Sequence, residues 1–294
     1  MTSTLLTPLS SILSIVVISS LSSCKVTDVT DEEQSASLVA YSDDGVAGAE
    51  INKQFSRRTA TLFSTDALER NAGTGESSSG NSGTQDVSAS IQLDPGKHLA
   101  FGTAIPIDPR GYFLTAGHCL DGRETYAMYT NTDHETVIQK VRPVWVRISS
   151  LPEIDLALFH VEGEPFGTFN WAGSFEIGET VFSAGTTVKV NGEEDPPFQT
   201  SIDSFAGEVK KARDISFQKT TFQLIWHRSP VRSGNSGGPL VNRKGELIGV
   251  NYASSNPIQR ATGAEMTPMG YAMRPNRDWM QDLIAKDWAK RQGQ

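Results

Sequence analysis

The sequence predicts an all-β fold, either a barrel or a sandwich, with one helix at its C-terminal end. From Leu99 onward, short apolar segments alternate with turn sequences, such as the D-P-R-G run at Asp108–Gly111. Almost no segment before Pro275 shows the 3.6-residue spacing of an amphipathic helix. These two observations separate the chain from helical bundles and from proteins that alternate strands with helices.

Several segments have the length and composition of β-strands. Val141–Ile148 alternates in part and contains a proline, so we expect it at the edge of a sheet. Arg58–Ser64 also has strand composition, and if it belongs to the main domain, the Ser-rich run that follows it is an insertion. Further strands are predicted at Ile154–Val161, Glu179–Ala184, Thr220–Trp226, Pro239–Val241, Leu247–Tyr252 and Gly270–Met273.

The residues after Pro275 predict a helix. Their apolar members recur at helical intervals and form one stripe, which we expect to pack back on the body of the protein. The stripe consists of Trp279, Met280, Leu283, Ile284 and Trp288.

The first 23 residues have the features of a targeting segment. Ser11–Leu21 is an apolar run of signal-peptide length, too short to cross a bilayer comfortably. The sequence L-S-S-C that ends at Cys24 resembles a bacterial lipobox, in which cleavage precedes an acylated cysteine, although Met1–Ser10 lacks Lys and Arg. We expect export, with a lipid anchor at Cys24 in the outer membrane or at the cell surface. An ordinary secretory signal with an incidental cysteine is the alternative.

The acidity of the chain is concentrated near its N-terminus. Residues 25–96 contain 12 acidic and 5 basic side chains, and they account for −7 of the net charge of −8. No basic run suggests a nucleic-acid partner. We expect an acidic flexible tether over residues 24–54, a single domain over 55–294, and a disordered Gly/Ser-rich loop over 71–90.

Three short stretches together predict acyl transfer to water. They are T-A-G-H-C at Thr115–Cys119, D-L-A-L at Asp155–Leu158, and G-N-S-G-G-P-L at Gly234–Leu240. This chemistry needs a nucleophile, a base that takes its proton, and a carboxylate that holds the base in one tautomer. Each stretch by itself could be a core histidine, a strand-edge carboxylate or a flexible turn. Their joint occurrence in a compatible order favours the catalytic interpretation.

Chain order excludes one competing arrangement. Gly234–Gly238 also matches the G-x-S-x-G nucleophile elbow, which requires the order serine, acid, histidine. No histidine follows Ser236, since the five are His98, His118, His134, His160 and His227. An order with the acid before the base has no supporting motif. The order histidine, aspartate, serine remains.

The three stretches resemble the signature sequences of the chymotrypsin-like, or trypsin-like, serine peptidases. Leu240–Asn251 is similar to the bacterial high-temperature-requirement peptidases, and the glutamyl endopeptidases are the other near group. This resemblance covers residues 97–290 well and 55–70 weakly. It implies two six-stranded antiparallel β-barrels and a closing C-terminal α-helix, with the second barrel starting at about residue 176. We do not expect the PDZ domain common in the first group.

The resemblance also implies a role for each site residue. His118 would be the general base, Asp155 would orient it, and Ser236 would be the nucleophile that forms an acyl-enzyme. The N–H groups of Gly234 and Ser236 would form the oxyanion hole. The expected activity is a serine endopeptidase acting on protein or peptide substrates, without metal or cofactor. A catalytically silent binding lipoprotein on the same fold, or an esterase, are the alternatives.

Two departures from the digestive enzymes stand out. Cys119 has no cysteine partner in the preceding strand, so we expect a free, partly or fully buried thiol beside His118, with a Cys24–Cys119 disulfide as the alternative. Asn235 replaces the aspartate that receives a newly cut N-terminal amine, so activation by cleavage is not required.

Specificity is predicted from the expected pocket position. Its lining would be Pro230, Val231, Arg232, Tyr252, Ala253 and Ser254. Pro230 at the pocket base brings no charge, so we expect a small or medium apolar substrate side chain. Arg232 and His227 keep an acidic preference open.

Overall fold

A computed structural model describes residues 55–64, 101–122, 124–151, 153–190, 198–255 and 269–293. The predicted signal peptide, Cys24, the tether and the Gly/Ser-rich loop lie outside these residues. None of the helices in the described part is long and apolar enough to cross a membrane.

The described residues form two antiparallel sheets and a C-terminal helix. The first sheet contains β1 (Ala60–Ser64), β2 (Phe101–Asp108), β3 (Tyr112–Thr115), β4 (Thr125–Thr130), β5 (Thr136–Lys140), β6 (Arg142–Ser150) and β7 (Glu153–His160). The second contains β8 (Thr180–Val190), β9 (Phe198–Phe217), β10 (Thr220–His227), β11 (Pro239–Asn242), β12 (Leu247–Ser254) and β13 (Gly270–Arg274). Helix α1 covers Arg277–Arg291, and a 3-10 helix covers Gly117–Leu120.

The first sheet has the order β5-β4-β1-β2-β3-β7-β6. Its two edge strands, β5 and β6, are separated in the chain by Val141 alone, so they are two halves of one bent segment. The first half pairs with β4 and the second with β7. The first sheet therefore has seven strands and is not closed by strand pairing, where a six-stranded barrel was expected, because the segment that would close it is divided at Val141 into two edge strands. Pro143 lies in the edge strand β6, as its missing N–H predicted.

The predicted Arg58–Ser64 strand is β1, which starts two residues later than expected. It pairs with both β2 and β4, so it is an integral strand of the first sheet. In the sequence, residues 65–100 therefore separate β1 and β2, which are neighbouring strands of this sheet.

The second sheet is a closed six-stranded barrel with the order β10-β13-β12-β11-β8-β9. Its longest strand, β9, has 20 residues and pairs with β8 over its first half and with β10 over its second. We did not predict β9, because charged side chains such as Lys211, Arg213 and Asp214 interrupt its apolar pattern. These side chains are exposed. The strand is stabilised by pairing on both sides and by the burial of Phe205, Val209 and Ile215.

Helix α1 packs through the predicted stripe. Met280 and Ile284 are buried, and Trp279, Leu283 and Trp288 are partly buried against the main core. The side chain of Asn276 caps the helix by accepting a hydrogen bond from the N–H of Trp279 at 2.9 Å. The helix thereby covers part of the main core.

Candidate active site

His118 and Asp155 are held together at two points. His118 lies in the 3-10 helix that follows β3, and Asp155 lies on β7, which pairs with β3. The His118 Nδ1 lies 2.7 Å from Asp155 Oδ2, and the main-chain N–H of His118 donates to Oδ1 at 2.9 Å. Both side chains are about one-fifth exposed. This arrangement fixes the imidazole and leaves its Nε2 as the nitrogen that faces away from the carboxylate.

The loop around Ser236 is shaped by glycines. Gly234 and Gly237 have φ angles of +88° and +86°, in the region that side chains rarely adopt. A Cβ at Gly237 would lie 2.0 Å from the carbonyl oxygen of Thr103, and one at Gly234 would lie 2.3 Å from that of Thr186. Neither position has room for a side chain. The loop therefore docks tightly, and Ser236 remains 8% exposed.

The Ser236 loop belongs to the second barrel but is bound to the first sheet. The N–H of Thr103 on β2 donates to the Ser236 carbonyl oxygen at 2.8 Å. The Cys119 Sγ lies 3.6 Å from the same oxygen. The structure thus brings the stretches around His118, Asp155 and Ser236 together where the two sheets meet.

Two N–H groups of this loop are unused. Within the part of the chain that the structure describes, the N–H groups of Gly234 and Ser236 donate no hydrogen bond. The N–H groups of Asn235, Gly237 and Gly238 donate to carbonyl oxygens at 3.0, 2.6 and 2.8 Å. Buried N–H groups are normally paired, so two unpaired donors beside one serine indicate an anion-binding position.

Asn235 is satisfied inside the protein. Its side chain is 1% exposed, its Oδ1 accepts from the N–H of Arg232 at 2.8 Å, and its Nδ2 donates to the Thr186 carbonyl oxygen at 3.4 Å. A neutral amide with both ends bonded needs no ion-pair partner. Within the described residues, the Asn235 side chain is therefore held by its own loop and by β8.

Cys119 is a free thiol in this structure, while Cys24 lies outside the described residues. Gly102, on β2, lies where a cysteine could form a disulfide with Cys119. A Cβ built at Gly102 would lie 2.7 Å from Cys119 Sγ and 3.4 Å from Cys119 Cβ. The absent side chain is what leaves room for the thiol.

The residues predicted to line the pocket lie in two segments. Pro230, Val231 and Arg232 precede the Ser236 loop, and Tyr252, Ala253 and Ser254 end β12. The Arg232 guanidinium lies 4.7 Å from the ring centroid of Phe205. Tyr252 is buried, and its hydroxyl donates to Glu153 Oε1 at 2.7 Å. Burial is the main cause that raises the pKa of Tyr252, and the hydrogen bond to Glu153 raises it further.

His227 is a buried residue whose imidazole is uncharged at neutral pH. It is fully buried on β10, with its Nε2 3.0 Å from Asn251 Oδ1. Burial lowers the pKa of His227 to about 4. In this structure the imidazole is therefore a neutral, packed group.

Sequence reasoning missed the residues that hold the Ser236 loop. Thr103, Thr186 and Asn251 each contact it through buried hydrogen bonds. No local motif marks these residues, because they lie on three strands that are distant in the chain and meet only after the sheets form.

Comparison with known proteins identifies the family of this chain. Residues 102–250 match the model of the trypsin-like peptidase domain. The chain is 27% identical over 158 residues to a probable periplasmic serine endoprotease DegP-like from Marinomonas sp., covering 53% of this chain and 30% of that protein. It is 28% identical over 171 residues to the mitochondrial serine protease HTRA2 of Bos taurus, covering 53% and 34%.

A similar solved structure is the HtrA-type protease AlgW with decapeptide. It has a TM-score of 0.50 at 19% identity, over 81% of this chain and 67% of that chain. The chain spans about a third of the length of the curated relatives it matches. The family model nevertheless matches half of the chain, so the chain belongs to the trypsin-like peptidase family.

Proposed function

We propose that this chain is a serine endopeptidase with His118, Asp155 and Ser236 as its catalytic triad. The observation that carries the proposal is the pair of contacts from Asp155 to His118, at 2.7 and 2.9 Å, beside a loop with two unused N–H groups. Geometry of this kind holds a histidine in the tautomer that accepts a proton at Nε2. Membership of the trypsin-like family supports the same activity.

The proposed reaction proceeds through an acyl-enzyme. Ser236 Oγ attacks the substrate carbonyl carbon while its proton passes to His118 Nε2. The imidazolium is stabilised by Asp155, and the oxyanion accepts hydrogen bonds from the N–H groups of Gly234 and Ser236. When the intermediate collapses, the C–N bond breaks and His118 returns the proton to the departing amine. Water then hydrolyses the ester by the same steps in reverse.

The proposed specificity is for a small or medium apolar side chain. Pro230 and Val231 bring no charge to the expected pocket, and Arg232 is engaged with the face of Phe205. His227, which could have recognised an acidic substrate, is buried and neutral at pH 7. Two apolar lining residues and a neutral histidine favour an apolar pocket, beside which the Arg232 guanidinium keeps its positive charge on the face of Phe205.

We further propose that the peptidase domain is exported and anchored by a lipid on Cys24. The apolar run Ser11–Leu21, followed at once by L-S-S-C, supports this arrangement. Residues 24–54 would then form an acidic tether between the membrane and a domain that begins at about residue 55. A secreted, unanchored peptidase is the competing outcome.

A fluorophosphonate probe tests the proposed activity. Wild-type protein should be labelled on Ser236, and Ser236→Ala should lose labelling and peptide hydrolysis, because the proposed nucleophile is removed. Ser216→Ala, which alters an exposed serine on β9, is the matched control and should be labelled as the wild type is.

Other outcomes identify the competing functions. Persistent labelling of Ser236→Ala would show that the nucleophile is wrongly assigned. A wild-type protein that is not labelled would support the silent binding lipoprotein. Labelling with hydrolysis of p-nitrophenyl esters but not of casein would support the esterase.

A further inference from the structure

Four buried threonines lie beneath the Ser236 loop. Thr61, Thr103 and Thr115 come from β1, β2 and β3 of the first sheet, and Thr186 comes from β8 of the second barrel. Their exposed fractions are 5%, 0%, 0% and 0%. Since buried hydroxyls need hydrogen-bond partners, this cluster ties the two sheets together at one point.

Thr103 contacts the Ser236 loop with two separate groups. Its main-chain N–H donates to the Ser236 carbonyl oxygen at 2.8 Å. Its hydroxyl donates to the Gly234 carbonyl oxygen at 2.7 Å. One residue of the first sheet therefore holds two carbonyl groups of the loop, one on each side of Asn235.

The position of the Thr103 hydroxyl hydrogen follows from its neighbours. The Gly234 oxygen can only accept, and the Thr186 N–H, which lies 2.7 Å from Thr103 Oγ1, can only donate. The hydroxyl hydrogen must therefore point to Gly234. Thr186 Oγ1, at 3.2 Å from Thr103 Oγ1, lies beside the second lone pair of the Thr103 hydroxyl oxygen. Valine at this position would leave the Gly234 oxygen and the Thr186 N–H without their partners.

These contacts hold the peptide groups on both sides of the Ser236 N–H. In the Gly234–Asn235 peptide, the oxygen is held by Thr103 and the N–H donates to Arg232 at 3.0 Å. In the Ser236–Gly237 peptide, the oxygen is again held by Thr103 and the N–H donates to Asn251 at 2.6 Å. Because the two glycines have few steric barriers to rotation, hydrogen bonds must supply the rigidity of the loop.

We propose that Thr103 is a positioning residue: through its hydroxyl it orients the N–H groups of Gly234 and Ser236 that stabilise the oxyanion. This inference rests on the proposed function of the Ser236 loop. Thr103 does not touch substrate. Its contribution should therefore appear in the transition state, where the oxyanion develops, and not in substrate binding.

The test compares variants of Thr103 with one of Thr61. Thr103→Val removes the hydroxyl at nearly constant volume, and Thr103→Ser retains it. Thr61→Val is the matched control, because Thr61 Oγ1 contacts Thr186 Oγ1 at 3.0 Å in the same cluster without a described contact to the loop. Thr103→Cys, nearly isosteric with the serine variant but a weak donor, replaces the valine variant if that variant does not fold.

We expect Thr103→Val to lower kcat for p-nitrophenyl butyrate about 10- to 100-fold with KM changed less than about threefold. This range lies below the 10²–10³ that follows loss of a complete oxyanion donor. Thr103→Ser should restore kcat to within about threefold of the wild type. Thr61→Val should leave kcat nearly unchanged.

A second readout does not depend on catalysis. Amide hydrogen exchange of the segment 232–238 should be faster in Thr103→Val than in Thr61→Val, because the loop loses one of its anchors. If wild-type protein lacks activity but the exchange difference is present, the proposed function fails while the positioning role of Thr103 stands. Equal exchange in the two variants, or an equal loss of kcat, would overturn the inference.

Discussion

His227 makes the stability of the second barrel depend on pH below neutrality. The imidazole is fully buried on β10, and its Nε2–H donates to Asn251 Oδ1 at 3.0 Å, since Asn251 Nδ2 donates to the Pro239 carbonyl oxygen. A Cβ at Gly270 would lie 2.3 Å from the ring, so the surroundings are closely packed. Burial lowers the pKa of His227 from 6.5 to about 4. The folded protein therefore resists protonation of this ring.

The expected effect follows from this difference in pKa. Above pH 6.5 the ring is neutral in both states and contributes no pH dependence. Between pH 6.5 and about pH 4 only the unfolded state takes up the proton, so the free energy of unfolding falls as the pH falls. At about 1.4 kcal/mol for each pKa unit, the loss reaches about 3 kcal/mol by pH 4. Below that pH both states are protonated and the loss stops growing.

Urea denaturation at pH 7 and pH 4 measures this effect. His227→Gln retains an amide donor for Asn251 but cannot take up the proton. The variant should be less stable at pH 7 because its packing is poorer, and its deficit relative to the wild type should shrink by about 3 kcal/mol at pH 4. His134→Asn, which removes an exposed histidine, should follow the wild type at both pH values. If the deficit of His227→Gln changes by less than about 1 kcal/mol, the burial argument is refuted.

Three further predictions concern the site and the anchor. Asp155→Asn should keep the fold but lower kcat by roughly 10³–10⁴, since His118 would lose its preferred tautomer, and a loss below tenfold would point to another carboxylate. Gly102→Cys should form a disulfide with Cys119 under oxidising conditions, because the Cβ separation would be 3.4 Å, and recovery of two alkylatable thiols by mass analysis would contradict this. Cys24→Ser should release the protein into the soluble fraction or leave its precursor uncleaved. Normal processing with unchanged membrane fractionation would exclude the lipid anchor.

Local patterns in the sequence determined much of this molecule. The alternating segments and their turns predicted most strands, and the stripe from Trp279 to Trp288 predicted helix α1, because each pattern records which side chains are buried. The proline in β6 predicted an edge strand, since a missing N–H is a property of one residue. The motifs around His118, Asp155 and Ser236, and their order, indicated the family resemblance. Residue types and their order along the chain can be read directly from the sequence.

Only the tertiary structure decided features that depend on pairing between distant segments. Strand β9 buries Phe205, Val209 and Ile215, but exposed charged residues interrupt this apolar pattern, and its pairing with β8 and β10 is visible only in the fold. No sequence motif around His227 or Thr103 indicates their roles either. Burial turns an ordinary histidine into a neutral core group, and the meeting of two sheets turns a threonine into a support for the Ser236 loop. Both results arise from surroundings that strands far apart in sequence assemble together, which is why periodicity and spacing could not reveal them.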